Sequence, residues 1–416
     1  MDFNIENRKN KFIRFMDNLE SLYTEDYIEK SKDILHMFNK EKLSSGIEGI
    51  VSKANFINMP TPSKKNCDEE ENATTNTLII KEINLKNIID SKGISKKEIP
   101  KNPDDVYNLF YSNKAFDKPS LTEIISYTLT NQLIFQKICP NFPLNYYWDY
   151  HARKMRIYSE YGNCQDFDQW ATLKHSNQIW FNALFQIMVA LMSLKRYFNM
   201  LHVDFHTKNI IVQKIKPGGY WEYKIDGLKY NVPNLGFVFL ITDFGFSWIP
   251  DKLTIPWLYK STLKYITKTG EQFYDIFSFY ENILEDKSYK LPKYFKSQIK
   301  KLFTKQEFYI YTTKYYKDKI KHYQDKPKKQ KVFKNILNKY PANINNNYRA
   351  LNTTLGDKIY TMFYKHNFHD GTDVFNMQEI IYSNKLPQNT ELIDSFSVDK
   401  SLNKEKFPDS FQHLIT

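Results

Sequence analysis

The sequence predicts an α+β protein in which a small β-rich N-terminal part precedes a larger helical part. Segments rich in β-branched and apolar residues, typical of strands, are concentrated between residues 43 and 85. Apolar residues at helical spacing dominate after residue 121. The chain has 416 residues, of which 41% are hydrophobic and 25% are charged, so it can bury a sizeable core. This composition excludes a wholly disordered chain.

Residues 1–40 are predicted to form a helical N-terminal extension. Thr24, which is followed by two acidic residues, is typical of a helix start, so a second helix is expected to end near Asn39. The first helix has one apolar face, which we expect to pack on the core. The residues of this face are Phe12, Phe15, Met16, Leu19 and Tyr23.

The β-rich part is predicted at residues 41–161. A strand–turn–strand pattern with glycines in the turn covers residues 43–58, and TLIIKEINL at 77–85 has the composition of a strand. Residues 121–138 form a predicted helix, and 154–161 a further strand. Two polar stretches are expected to be loop insertions, namely 59–76 and 84–119.

The helical part is predicted to contain a core at 162–285 and a lysine-rich helical continuation at 286–416. A strongly apolar helix is expected at 176–199. Short strands around 210–212 and 237–242 flank a segment that contains PGG and predicts a surface hairpin, residues 214–236.

The net charge of +12 is concentrated in one block. Residues 286–339 contain 17 lysines and four acidic residues, so the remaining 362 residues sum to about −1. Such a block indicates a polyanionic partner, an acidic protein substrate or a membrane surface. A lysine-biased composition explains it equally well, because only six arginines accompany 53 lysines.

Several classes of protein are disfavoured. Three widely spaced cysteines, Cys67, Cys139 and Cys164, exclude a disulfide framework and a zinc knuckle and favour a reducing compartment. The N-terminal sequence lacks the apolar core of a signal peptide, so secretion is not expected. The most apolar stretch, residues 180–194, is interrupted by polar residues, which indicates a buried helix rather than a membrane span.

Three short motifs contain the residue types of a phosphoryl-transfer site. In LSSGIEGIV, Gly46 and Gly49 lie in a turn where glycines let backbone N–H groups approach phosphate oxygens. HVDFHTKN places Asp204 and Asn209 five residues apart, and such a pair can orient a hydroxyl nucleophile and share a metal ion. In DFG, Asp243 follows the apolar strand FVFLIT. Each motif alone is weak, but they occur in order.

In that order, these motifs resemble those of the eukaryotic-type protein kinases, in register over residues 43–284. The resemblance implies a two-lobed fold with a small β-rich N-lobe and a larger helical C-lobe, and it implies binding of ATP and Mg²⁺. LSSGIEGIV resembles the glycine-rich phosphate loop, with Ser44 in place of the first glycine. The nucleotide contacts implied in this loop are Ser45, Gly46, Gly49 and Val51.

LIIK resembles the third-strand VAIK motif, which implies that Lys81 holds the α- and β-phosphates. Glu123, near the start of LTEIISYTLTNQL, is then the candidate ion-pair partner of Lys81, and Glu98 is an alternative carboxylate. RIYSEYGNCQDF resembles the strand and hinge between the lobes. There the backbone of Glu160 and Tyr161 would contact adenine.

HVDFHTKN resembles the HRDLKxxN catalytic loop, which implies that Asp204 is the base. Asn209 and Asp243 are then the Mg²⁺ ligands. His206 occupies the position where most Ser/Thr kinases have a lysine that contacts the transferred phosphate, and Lys208, two residues later, is its candidate substitute.

DIFSFYENIL resembles the start of the central C-lobe helix, which implies that Asp275 binds the backbone of the catalytic loop. His202 is expected to pack and to form a hydrogen bond within that loop. Val203 replaces the arginine that usually receives an activation-loop phosphate, and no APE sequence follows DFG. The HxDxHxxN form also occurs in haspin-like kinases and in aminoglycoside- and choline-type phosphotransferases.

The resemblance implies a divergent Ser/Thr protein kinase, similar to those of large DNA viruses or to haspin. Two alternatives stay open: a small-molecule phosphotransferase of the same fold, and a non-catalytic scaffold that binds a polyanion through residues 286–339. We expect an intracellular location, in the host cytoplasm or the virion if the protein is viral. Neither the oligomeric state nor the protein substrate follows from the sequence.

Overall fold

The computed structural model describes twelve parts of the chain. They are residues 3–22, 34–45, 49–57, 77–84, 119–151, 154–250, 252–253, 274–303, 327–337, 354–364, 391–407 and 415. The predicted insertion at 59–76 and nearly all of the one at 84–119 lie outside the described residues, as does Gly46. So does 254–273, the segment between the DFG motif and the next helix.

The N-terminal region is rich in β-structure, as predicted. Its antiparallel sheet has the strand order β1-β2-β3-β5-β4. The strands are β1 (Phe38–Ser45), β2 (Gly49–Phe56), β3 (Thr77–Asn84), β4 (Asn145–His151) and β5 (Lys154–Glu160). The predictions for 43–58, 77–85 and 154–161 are confirmed. Strand β4 was not predicted, because burial along NYYWDYH does not alternate.

The prediction of a helix ending near Asn39 is wrong at its C-terminal end. A 3-10 turn covers Ile34–Met37, and β1 begins at Phe38, directly opposite Phe56 of β2. The centroids of these two buried rings lie 4.6 Å apart. This cross-strand contact stabilises the extended conformation there.

Helix α1 (Ile5–Leu22) packs against the five-stranded sheet and against helix α2 (Pro119–Phe135). The Phe12 ring lies 5.6 Å from that of Phe135, and the Phe15 ring lies 5.2 Å from that of Tyr146 on β4. The predicted core packing of the apolar face is therefore confirmed for these residues. It joins the N-terminal helix to the sheet.

The predicted helix at 176–199 is confirmed as α4 (Asn177–Phe198), which follows the short α3 (Phe167–Ala171). The Ser176 side chain accepts a hydrogen bond from the Ile179 N–H, and Asn199 ends the helix in the left-handed conformation. Among the described helices, α4 alone is long and apolar enough to cross a membrane, but 83% of its most apolar window is buried inside the protein. It serves as a core helix.

A small antiparallel sheet of order β10-β7-β6 lies beside α4 and orders the loops around it. Its strands are β6 (Gln165–Asp166), β7 (Ile210–Lys214) and β10 (Phe237–Ile241). The two predicted short strands are thus confirmed as β7 and β10.

The later described helices are α5 (Tyr274–Glu285), α6 (Lys293–Ile299), α7 (Pro327–Leu337) and α8 (Leu355–Ile359).

The prediction of a surface hairpin at 214–236 is only half right. A hairpin forms from β8 (Tyr220–Ile225) and β9 (Leu228–Pro233), but Trp221, Tyr223 and Tyr230 are each at most 2% exposed. The strand β11 (Leu392–Ser397) pairs in parallel with β8 and makes a sheet of order β11-β8-β9. The C-terminal part therefore contains this strand as well as helices. The strand buries the aromatic face of the hairpin.

Candidate active site

Three charged side chains from separate elements meet beside β3. Lys81 lies on β3, opposite Val51 of β2. Its Nζ lies 2.8 Å from both carboxylate oxygens of Glu123 on α2 and 2.8 Å from Oδ1 of Asp243. The carboxylate that pairs with Lys81 from α2 is thus that of Glu123, while Glu98 lies outside the described residues.

The electrostatics of this cluster favour the charged forms of Lys81 and Asp243. Burial lowers the pKa of Lys81, but the Glu123 and Asp243 carboxylates outweigh it and hold that pKa well above its usual value. Burial likewise raises the pKa of Asp243, and the Lys81 ammonium outweighs burial and lowers it. The Lys81 ammonium can contact phosphate oxygens, and the Asp243 carboxylate, which is 39% exposed, can contact a cation.

Asp243 has a left-handed backbone, with φ of 64°. This conformation is uncommon for a residue other than glycine and persists only where the surroundings enforce it. The Tyr127 hydroxyl of α2 lies 2.7 Å from the Thr242 hydroxyl and accepts from the Asp243 N–H at 3.4 Å. The Tyr127 ring also packs edge-on against Phe244, with centroids 5.5 Å apart. Helix α2 therefore fixes the DFG segment as well as Lys81.

Residues of the predicted catalytic loop, 202–209, form a second group. Asp204 is half exposed, and its backbone carbonyl accepts a hydrogen bond from the Asn209 side-chain amide at 2.8 Å. That bond fixes Asn209 Nδ2 and leaves the amide oxygen of Asn209 as the atom that can face a ligand. Asn209 ends a 3-10 turn, Thr207–Asn209, that leads into β7.

Asp275, at the start of α5, binds the backbone of the catalytic loop as predicted. Its carboxylate accepts from the His202 N–H at 2.8 Å and from the Val203 N–H at 2.9 Å. Val203 has φ of 69°, so these bonds hold a strained backbone in place directly before Asp204. Burial raises the pKa of Asp275 to about 6, although the two N–H donors act in the opposite direction.

His202 is fully buried and packs within the loop, as predicted. Its Nε2 lies 2.8 Å from the Thr242 carbonyl, and burial lowers its pKa to about 4. The Thr242 N–H donates to the Asn209 carbonyl at 3.0 Å. Thr242 thus joins the Lys81–Glu123–Asp243 group to the Asp204–Asn209 group, a role for which the sequence holds no motif.

His206 and Lys208 lie on the solvent side of the catalytic loop. His206 Nε2 is 3.8 Å from the Asp204 carboxylate, too long for a hydrogen bond. Lys208 is exposed, and both residues line an open cleft of about 490 Å³. Its other lining residues are Asp168, Thr207, Asn282, Glu285, Asp286 and Tyr289. The structure therefore places the His206 ring near Asp204, and it places Lys208 on the same open cleft as His206.

The predicted phosphate loop is described only at its two ends. Ser45 ends β1 and pairs with Ile50, and Gly49 begins β2. A Cβ on Gly49 would lie 2.1 Å from the Glu82 carbonyl oxygen, so the tight approach of β3 requires glycine at this position. Strand packing therefore requires glycine at position 49 whether or not this residue contacts a nucleotide.

The predicted hinge contains an ion pair that sequence reasoning missed. The carboxylate of Glu160, at the end of β5, lies 2.6 Å from Nη2 of Arg8 on α1, and both side chains are buried. Tyr161 follows, with Lys53 Nζ 5.1 Å from its ring centroid. One signal was available: Ile5, Arg8, Phe12, Phe15 and Leu19 share one helical stripe. A charged residue in an apolar stripe predicts a buried partner.

Comparison with known proteins gives partial matches to viral proteins. The chain is 26% identical over 192 residues to "Probable serine/threonine-protein kinase 380R" of Invertebrate iridescent virus 6, which covers 41% of this chain. It is 35% identical over 66 residues, 15% of this chain, to 019R of Frog virus 3 (isolate Goorha), also named with a qualifier as a serine/threonine-protein kinase. It is 30% identical over 142 residues, 29% of this chain, to "Uncharacterized protein 011L" of Invertebrate iridescent virus 3.

These matches support a kinase-like relationship with proteins of iridoviruses. The chain spans 34% of the length of 380R, 8% of 019R and 19% of 011L. No protein-family model matches the chain. The mixed helices and sheets and the β-rich N-terminal region are consistent with the same relationship.

Proposed function

We propose that this chain is an ATP-dependent protein kinase that transfers the γ-phosphoryl group to Ser/Thr hydroxyls of a protein substrate. The observation that carries the proposal is the contact of Lys81 Nζ with both Glu123 and Asp243. An ammonium held between two carboxylates from separate elements has a fixed position from which it can contact the oxygens of a polyphosphate. Its link to the Asp204 loop through Thr242 supports one continuous site.

In this proposal the nucleotide lies between the β-rich N-terminal part and the loops after α4. Lys81 contacts the α- and β-phosphates, and Ser45, Gly46, Gly49 and Val51 cover them from the strand side. The backbone of Glu160 and Tyr161 contacts adenine. The corresponding division of the chain is an extension at 1–40, an N-lobe at 41–161 and a C-lobe at 162–416.

The donor set fits Mg²⁺. Asp243 contributes a carboxylate that is 39% exposed, and Asn209 contributes an amide oxygen. Oxygen ligands of this kind, few in number, suit Mg²⁺, which keeps several waters and binds substrate phosphates. When bound, the ion would neutralise charge that develops on the phosphates.

Asp204 is the proposed base. Its carboxylate is 48% exposed, so an acceptor hydroxyl can reach it. The hydroxyl oxygen forms a bond to the γ-phosphorus, the bond from that phosphorus to the bridging oxygen breaks, and ADP leaves. The hydroxyl proton passes to Asp204. His206 lies 3.8 Å from this carboxylate and shares a cleft with Lys208, whose ammonium is proposed to stabilise the transferred group.

A small-molecule phosphotransferase is the second candidate, and His206 favours it. This residue stands where most Ser/Thr protein kinases have lysine, and it lines an open cleft of about 490 Å³ next to Asp204. A cleft of that volume fits a small acceptor. The three carboxylates that line it, Asp168, Glu285 and Asp286, would suit an acceptor with positive charge.

Partner and location are also proposals. Residues 286–339 are proposed to bind a polyanion or an acidic protein, and the described lysines of α7 at 328, 331 and 334 are exposed. The relatives are proteins of iridoviruses, which supports a location in the infected cell or the virion.

The test is transfer from γ-labelled ATP in the presence of Mg²⁺. The acceptors are casein, myelin basic protein and histone, together with a panel of aminoglycosides and choline. Wild type is compared with Asp204→Asn, which keeps the size of the side chain but cannot accept the proton. Asp17→Asn, on the exposed face of α1, is the matched control because it makes the same chemical change away from the site.

We expect protein labelling by wild type and by Asp17→Asn, and a loss of at least about a hundredfold in Asp204→Asn. Binding of Mg-ATP should be nearly unchanged in all three proteins. Labelling of small molecules alone would favour the second candidate. Full transfer by Asp204→Asn would refute the assignment of Asp204 as the base. If wild type labels none of the acceptors, a non-catalytic scaffold is favoured.

A further inference from the structure

Arg8 on helix α1 is buried against the segment proposed to bind adenine. The residue is 2% exposed, and its guanidinium makes four hydrogen bonds. Two go to Glu160, from Nε to Oε1 at 3.2 Å and from Nη2 to Oε2 at 2.6 Å. The other two go to backbone carbonyls, from Nη1 to Pro140 at 2.7 Å and from Nη2 to Phe142 at 2.5 Å.

These partners belong to two neighbouring segments. Pro140 and Phe142 lie in the connection between α2 and β4, and Glu160 is the last residue of β5. The same segments are also joined directly, because the Leu144 N–H donates to Glu160 Oε2 at 3.1 Å and the Glu160 N–H donates to the Leu144 carbonyl at 2.8 Å. Arg8 therefore completes a network that fixes the chain where it leaves β5.

Helix α1 is itself anchored, so the backbone of Arg8 is held in a fixed position. The Ile5 N–H donates to the Asp394 carboxylate of β11 at 2.9 Å, and Lys137 binds the other oxygen of that carboxylate at 2.7 Å. The Trp221 Nε1–H of β8 donates to the Phe3 carbonyl at 3.0 Å. The start of α1 cannot shift without disturbing the sheet of β8 and β11.

We propose that Arg8 is a positioning residue for nucleotide binding. It holds Glu160 by its carboxylate, so that the backbone of Glu160 and Tyr161 keeps the geometry that adenine needs. A bidentate guanidinium is suited to this task, because its planar fork fixes direction as well as distance. The inference rests on the proposed kinase function, and it makes the N-terminal helix a part of the nucleotide site.

The competing explanation is that Arg8 only stabilises the fold. Removal of one partner from a buried ion pair leaves an uncompensated charge, so Arg8→Met alone would lower stability under either explanation. Replacement of both partners by apolar side chains of similar length is often neutral for stability. The double variant Arg8→Met/Glu160→Met therefore avoids a lone buried charge, and ATP binding measured at a temperature where this variant is fully folded reports on positioning.

The experiment measures the Kd for ATP by calorimetry, the KM for ATP and kcat with the protein acceptor, and the melting temperature. We expect the double variant to melt below wild type, because the Phe142 carbonyl and the Leu144 N–H lose these partners. Its Kd and KM for ATP, measured where it is fully folded, should rise about tenfold or more. The KM for the acceptor should change less than the KM for ATP. Arg14→Met, on the exposed face of the same helix, is the control and should bind ATP like wild type.

An unchanged Kd for ATP in the double variant would overturn the proposal. If that variant does not fold, Arg8→Lys replaces it, because lysine keeps the charge but cannot form the fork. Amide hydrogen exchange at residues 158–162 is measured on the same proteins. Faster exchange there, with the centre of α4 unchanged, supports the positioning role, and unchanged exchange refutes it. Wild-type protein that does not bind ATP would refute the proposed kinase function and with it the nucleotide role of Arg8, whereas the exchange data would still decide whether Arg8 fixes residues 158–162.

Discussion

Thr242 uses each of its polar groups for a different part of the site. Its N–H donates to the Asn209 carbonyl, its carbonyl lies 2.8 Å from His202 Nε2, and its hydroxyl lies 2.7 Å from that of Tyr127. The strained backbone of Asp243 follows directly. At the scale of single residues, the geometry of the proposed site thus depends on side chains that would not touch a substrate.

Removal of the Tyr127 hydroxyl should separate positioning from packing. Tyr127→Phe keeps the ring contact with Phe244 but loses the bonds to Thr242 and Asp243, so we expect stability to fall by only about 1 kcal/mol. Transfer should fall by about tenfold, because the left-handed backbone of Asp243 is less firmly held. Steady-state kinetics and chemical denaturation measure the two effects. Tyr158→Phe, which removes a hydroxyl bound to Asp149, is the control and should retain full activity.

Stability should depend on pH through His202. Burial lowers its pKa from 6.5 to about 4, so the unfolded chain binds a proton there between these values and the folded protein does not. This contribution is complete above pH 6.5 and is lost as the pH falls. Relative to His202→Gln, we expect wild type to lose about 2 kcal/mol of unfolding free energy between pH 7.5 and pH 5.

The comparison with a variant is needed because Asp275 acts in the opposite direction. Its pKa is raised from 3.8 to about 6, so its contribution increases as the pH falls through 6. Asp275 is present in both proteins and cancels in the difference. The other titratable groups that face His202, namely Asp243 and His206, are also present in both proteins. Denaturant titrations at several pH values give the measurement, and a difference that does not vary with pH would contradict it.

At the scale of elements, the sheet of β8, β9 and β11 makes the predicted surface hairpin at 214–236 a part of the core. The segment 214–236 is polar enough to predict a surface hairpin, yet Trp221, Tyr223 and Tyr230 are buried by β11 and by α4. The Tyr223 hydroxyl donates to the Asn141 side chain at 3.1 Å, between α2 and β4. This sheet therefore supports the same connection that Arg8 binds.

Trp221→Ala should be severely destabilising. The side chain is 2% exposed and its Nε1–H binds the Phe3 carbonyl, so its removal leaves a cavity and an unpaired carbonyl. We expect a loss of about 3–5 kcal/mol in denaturant unfolding. Lys216→Ala, at an exposed position beside the same hairpin, should change stability by less than about 0.5 kcal/mol. A mild effect of Trp221→Ala would mean that the hairpin is an independent surface element.

How far the sequence predicted the structure depends on whether a contact is local. Helix α4 and strands β2, β3 and β5 follow from periodicity and strand composition, and Lys81, Glu123 and Asp243 follow from motifs. Arg8, Tyr127 and Thr242 were missed because their partners lie far away in the chain. The pairing of β8 with β11, across more than 160 residues, leaves no local pattern at either strand. Strand β1 was placed too late because the Phe38–Phe56 contact overrides local helical preference.

At the scale of the whole molecule, the excess positive charge and the proposed catalytic residues lie in different parts of the sequence. Residues 286–339 hold a net charge of +13, whereas the proposed catalytic, nucleotide-binding and Mg²⁺-binding residues all lie upstream in the nearly neutral part. Of the residues that line the cleft at His206, only Asp286 and Tyr289 belong to the basic block. The basic block therefore bears on partners rather than on transfer. Its described portions, 286–303 and 327–337, contain ten of its 17 lysines.

Binding to heparin or duplex DNA should reveal whether this block acts as a polyanion site. If it does, the triple variant Lys328→Gln, Lys331→Gln and Lys334→Gln should reduce the slope of log K against log salt concentration by about three. Fluorescence anisotropy at several salt concentrations gives the slope. The triple variant of Lys174, Lys216 and Lys224 to Gln makes the same charge change elsewhere and should alter the slope less. Equal effects of the two triple variants would favour compositional bias.

The hydrogen bond from the Ile5 N–H to Asp394 also bears on how the protein matures during synthesis. Its two partners are 389 positions apart, so the carboxylate leaves the ribosome long after the helix that it anchors. At about 5–20 residues per second this delay is roughly 20–80 s. Throughout that interval the start of α1 lacks this hydrogen bond, although its apolar face can already pack against α2 and β4. A nascent chain that stops before residue 391 would leave the Ile5 N–H without the Asp394 carboxylate.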